Sequence, residues 1–220
     1  FGSAPNIGLR KDFLLHTDGV PAKKELFDDV DLTWNRVKNS EKVRQMIQKT
    51  ISDFSMVNPA ASVPALVGIY KELGKLDATD YYVKKKKSEV EDLIQECLGL
   101  WFETNPSDYS TSPGGKATVQ VKVVNRTTTP VTLQRISMAG VGFDSTLNAP
   151  LNTYEGLVFN KTLTIPKNLP ITQPYWLRKP IKDRKVFQFD EQELVGLPEN
   201  PSELQTAYTF FIEGTSFTYT

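Results

Sequence analysis

The side chains able to do chemistry are few and scattered along the chain. The single histidine, His16, is followed by Thr17, Asp18 and Gly19, and a histidine beside a carboxylate is the smallest general acid–base pair a chain can offer. No nucleophile or metal-ligand motif accompanies it, so His16 reads as a loop histidine. The single cysteine, Cys97, sits among apolar residues at helical spacing. There a thiol is a small hydrophobe with a raised pKa, not an activated nucleophile. One cysteine closes no intramolecular disulfide, and one histidine supplies no two-histidine metal site. Asp28, Asp29 and Asp31 cluster as calcium ligands do, but the alternating positions, central glycine and terminal glutamate of an EF-hand are missing. Acids favoured near a helix N-terminus account for them. The sequence thus assigns no catalytic, cofactor-binding or metal-binding residue.

Binding chemistry is better represented. In Pro174-Tyr175-Trp176-Leu177, exposed Tyr175 and Trp176 rings would stack on sugar faces, and they are the candidate glycan-stacking residues. The run Lys84 to Lys87 reads as a solvated helix face tethered by Tyr81, Tyr82 and Val83. Pro113-Gly114-Gly115-Lys116 lacks the spacing and the hydroxyl residue of a phosphate loop, so it reads as a turn before a strand. Asn125-Arg126-Thr127 and Asn160-Lys161-Thr162 match the glycosylation acceptor pattern. Lysine plus arginine equals aspartate plus glutamate at 26 each, which is not the basic footprint of a nucleic-acid binder. No apolar run reaches the roughly 18 residues that would span a bilayer.

These side chains must be held by elements of two kinds. With 39% apolar residues in 220, the chain can bury a substantial core. From 31 to 104 the apolar residues recur with helical spacing. Val90, Leu93, Ile94, Cys97, Leu98 and Trp101 form one stripe of a helix over 87–101. A second helix follows Asn39-Ser40, which can cap it, and carries Val43, Met46, Ile47, Ile51 and Phe54 on one face. A third starts near Ser62, with Pro64 in its first turn and Leu66, Ile69, Tyr70 and Leu73 inward. Residues 1–30 show little periodicity and read as an irregular arm.

From 105 to 220 the pattern turns to strands. Ala117, Val119, Val121 and Val123 alternate with Thr118, Gln120, Lys122 and Val124. Further strands are predicted at 131–136, 157–165, 185–189 and 207–212. Phe217 to Thr220 still alternate where the chain stops, as expected if the sheet is truncated at its C-terminus. The predicted fold class is α+β: an N-terminal helical subdomain followed by an antiparallel immunoglobulin-like β-sandwich.

A series of segments carries a family likeness. They are Asp31 to Val37, Asn58 to Leu66, Glu89 to Phe102 with its Gly-Leu-Trp-Phe, Val119 to Val131, Asn168 to Leu177 with its Gln-Pro-Tyr-Trp-Leu, and Leu194 to Pro198. In this order, over residues 10–215, the chain resembles the region downstream of the catalytic domain in large bacterial PIG-L/LmbE-like de-N-acetylases. The resemblance implies a zinc-dependent deacetylase domain elsewhere in a parent protein that is commonly exported, hence periplasmic or extracellular. The family's His-Pro-Asp-Asp motif is absent here, and His16-Thr17-Asp18 does not match it. No catalytic residue carries over, and no cofactor is expected in this segment.

The expected function is therefore a non-catalytic accessory segment that packs on the deacetylase domain of the same parent chain or aids glycan recognition. The alternative is an independent carbohydrate-binding or cell-surface adhesion module. An enzyme in its own right ranks last, because a spatial pair of carboxylates is the one device sequence leaves open.

Overall fold

The structure is a computed structural model. It describes residues 24, 27, 28, 30–182, 186–198, 202 and 204–220. The predicted arm lies largely outside the described residues, as do His16, Asp18 and Asp29. Among the described residues three α-helices come first and seven antiparallel strands follow, so the chain is α+β with its helices first.

Helix α1 spans Glu41–Asp53, α2 spans Val63–Leu73 and α3 spans Tyr81–Leu98. Pro64 lies in the first turn of α2, as predicted, where its missing N–H costs nothing. Ser40 precedes α1 but does not cap it through its side chain. Its hydroxyl instead donates to the Trp34 carbonyl at 2.6 Å, tying the short 3-10 turn Trp34–Arg36 to the helix entry. Asp80 caps α3, accepting from the N–H groups of Tyr82 at 2.7 Å and Val83 at 3.1 Å. That cap starts the helix six residues before the predicted boundary and brings the lysine run inside it.

The far end of α3 also departs from expectation. Gly99 adopts φ +55°, its N–H reaches the Glu96 carbonyl at 2.9 Å, and the Leu100 N–H reaches that of Gln95 at 3.1 Å. This paired closure ends the helix. Trp101, predicted on the helical stripe, begins β1 (Trp101–Pro106) instead.

The remaining strands are β2 (Lys116–Val124), β3 (Val131–Met138), β4 (Phe143–Leu151), β5 (Gly156–Thr164), β6 (Thr206–Ile212) and β7 (Thr215–Tyr219). They form two sheets with orders β1-β2-β5 and β4-β3-β6-β7. Strand β4 was not predicted. The strand expected at 185–189 is not formed among its described residues, where a lone bridge joins Lys182 to Val186. Phe102 of β1 connects the sheets, its ring centroid 4.7 Å from Tyr208, 5.3 Å from Phe210 and 5.7 Å from Tyr219. Val119, Val121 and Val123 of β2 join the same core as Leu133, Ile136, Phe210 and Ile212 of the facing sheet. A register shift at Gln134 interrupts β3, and Ser216 of β7 donates to that side chain at 2.8 Å.

One cluster of buried side chains runs from the helices into both sheets. The join is made by Tyr70 of α2 against Phe217 of β7 at 4.9 Å, and by Lys71, whose Nζ donates to the Glu213 carbonyl at 3.3 Å. No helix among the described residues is long and apolar enough to cross a membrane.

Candidate functional site

The helical stripes are wider than the helices can cover for one another. Val43 of α1 is fully buried, but Ile51 is 70% exposed and Phe54 48% exposed. On α3, Leu93 is 44% exposed, although Val90, Ile94 and Leu98 on either side of it are buried. Among the described residues, α1 and α3 each pack against α2, which lies between them. Its Leu66, Ile69 and Leu73 form the buried floor, while Trp34, Ile47, Ile51, Phe54 and Leu93 form the walls. The result is an open, mainly apolar groove of about 420 Å³, within the range of ligand pockets.

Its polar mouth is tightly arranged. Tyr82 meets Trp34 edge to face at 5.0 Å, and the Arg36 guanidinium lies over the Tyr82 ring at 3.9 Å. Lys86 donates to Glu89 at 2.6 Å and also approaches the Tyr82 ring at 5.4 Å. The Lys86 ammonium holds the Glu89 carboxyl below the usual range. Lys87 lies over Tyr70 at 4.6 Å. Half of the lysine run is therefore engaged with aromatic rings, while Lys84 and Lys85 face water. Cys97 lines the groove half-buried, and burial, with Glu96 second, pushes its thiol up. That is the setting of an inert thiol.

The other residues singled out by sequence fall elsewhere. Tyr175 and Trp176 open a short 3-10 turn, Tyr175–Leu177. Both are partly covered, and their rings stand at 90° with centroids 4.9 Å apart. Phe189 adds a further perpendicular contact to Tyr175, and the Gly196 N–H donates to the Tyr175 hydroxyl at 3.3 Å. With the rings perpendicular, a flat sugar face could lie on one of them but not on both at once. Asp31 accepts from the Thr33 N–H at 2.8 Å and also from its hydroxyl, and these bonds hold its carboxyl below the usual range. Asp28 accepts from the Lys24 N–H at 2.7 Å. Among the described residues no group of three or more His, Cys, Asp and Glu is placed to hold a metal ion.

The two glycosylation patterns separate cleanly. Asn125 is 1% exposed, donating to the Thr129 carbonyl at 2.9 Å and accepting from the Thr127 N–H at 3.1 Å. It is a turn-building residue. Asn160 is exposed on β5 and paired with Gln120 at 3.4 Å.

Comparison with protein-family models, with curated proteins and with solved structures returned no match.

Proposed function

We propose that this segment is a non-catalytic accessory part of a PIG-L-like N-acetylglucosaminyl deacetylase, exported to the periplasm or beyond, and that its helices dock on the catalytic domain of the same parent chain. The observation that carries this reading is the groove between α1 and α3. Ile51, Phe54 and Leu93 leave apolar surface in water that a neighbouring surface would cover. The sequence resemblance supplies the occupant. On this reading zinc chemistry belongs to the catalytic domain, and the segment contributes position.

We further infer that the two sheets form an immunoglobulin-like sandwich. The strand order supports it: labelled A, B, C, C′, E, F and G in chain order, the strands group as A-B-E and C′-C-F-G, the arrangement in which the fourth strand pairs with the sheet of the third.

The test is to produce the deacetylase domain and this segment as separate chains. Docking raises the thermal midpoint of the deacetylase domain when the segment is added, because a partner that binds only the folded form stabilises it. The double variant Ile51→Asp with Leu93→Asp removes that gain. A deacetylase domain whose stability and activity are the same with and without the segment sinks the reading.

A further inference from the structure

A second cleft, away from the helices, has the composition of a sugar site. It opens where β1 ends, β2 begins and β6 begins, and its volume is about 370 Å³, in the range of small-ligand pockets. Its floor is apolar and buried: Val119, Met138, Leu163 and Ile165. Its lining includes the hydroxyl residues Ser110 and Thr172, and also Ser202, whose own hydroxyl donates to the Leu204 carbonyl at 3.1 Å. At the rim stands Tyr109, whose ring is fully exposed, flanked by Asp108 and Lys116.

The loop that presents Tyr109 is fixed at its base. The Ser107 N–H donates to the Thr118 carbonyl at 2.8 Å, the Gly114 N–H to that of Ile165 at 3.0 Å, and the Ile165 N–H to that of Gly115 at 2.9 Å. The Thr111 hydroxyl donates to the Lys116 carbonyl at 3.2 Å. Among the described residues neither the Lys116 ammonium nor the Tyr109 hydroxyl has a polar partner. A pyranose ring has the matching chemistry, with C–H groups on a face that stacks on an aromatic ring and hydroxyls around its edge that trade hydrogen bonds with polar walls.

We propose that this cleft binds a saccharide, with Tyr109 stacked on one sugar ring and Asp108 and Lys116 meeting its hydroxyls. The site is independent of whatever covers the helical groove, and it differs from the Tyr175 and Trp176 pair.

The experiment is a nuclear magnetic resonance titration of the full chain with two neutral trisaccharides, cellotriose and N-acetylchitotriose. The expected result is saturable shifts for at least one of them, confined to amides around 104–118, 163–172 and 202–206. Tyr109→Ala weakens that binding roughly tenfold or more, while Tyr109→Phe retains it. Because Tyr109 is fully exposed, both variants keep the parent thermal midpoint. No shift with either sugar overturns the proposal, as do shifts confined to Tyr175 and Trp176 or to the helices, or full binding by Tyr109→Ala. None of these outcomes bears on docking, which the groove variants test separately.

Discussion

The Tyr219 hydroxyl donates to the main-chain carbonyl of Glu91 at 3.0 Å, so the last strand is bonded to the middle of the last helix. Burial pushes that phenol above its ordinary range, with the Glu91 carboxylate adding to the effect. Tyr70 of α2 lies beside the same Glu91, so one helical turn of α3 anchors both an adjacent helix and a strand.

Tyr219→Phe removes this hydrogen bond with little change of shape. The expected loss is about 0.5–1.5 kcal/mol, read as a lower urea midpoint at unchanged slope. An unchanged midpoint would show that water replaces the phenol without cost.

Alkaline pH should loosen the same joint. The Tyr70 hydroxyl is pushed up to about 12 from an ordinary 10.0, first by burial and then by hydrogen bonding with Glu91. The fold prefers the neutral phenol, so this contribution is complete below pH 10, declines as the unfolded chain ionises, and is gone above about 12. Stability measured across that window should fall less steeply in Tyr70→Phe than in the parent. Equal slopes would place the alkaline sensitivity elsewhere.

Phe210 is fully buried and touches Phe102, Tyr208 and Tyr219. Phe210→Ala should cost about 3–5 kcal/mol, whereas Ile51→Ala, on the groove wall, should stay within about 0.5 kcal/mol. Chemical denaturation of the two variants checks the contrast. Comparable losses would mean that the groove is part of the core.

Gly99 closes α3 in the left-handed region, and a methyl group there would sit 3.1 Å from the Cβ of Arg126. Gly99→Ala should cost about 1–2 kcal/mol from the backbone alone. A neutral Gly99→Ala in a thermal melt would falsify the account of how the helix ends.

The elements most legible in the sequence were those whose pattern and packing agree. Alternation from Ala117 to Val124 marked β2 because both its neighbours are strands and one face lines the core. Trp101 misled because it falls on the helical stripe, while the stop signal, Gly99, lies inside that stripe. Strand β4 was hidden by Pro150, tolerable because β4 is an edge, and by Asn148, which takes φ +47° where the β3–β4 register shifts. The groove was half legible: periodicity named Ile51, Phe54 and Leu93 as apolar, but it cannot say that α1 and α3 both pack on α2 and leave these side chains exposed. Tyr109 gave no signal, since a lone aromatic in a turn-rich stretch has no period.

Two residues, Gly99 and Leu100, separate α3 from β1, and Leu100 is itself buried. A joint so short has no slack, because swinging the helices against the sheets would pull Leu100 into water and break the closing bonds of α3. Strand β1 then acts as a strut of about 20 Å, six residues at strand rise. The helices meet one end of it and the Tyr109 loop leaves the other, so a body held by the helices and a molecule held by that loop would keep a fixed distance and bearing.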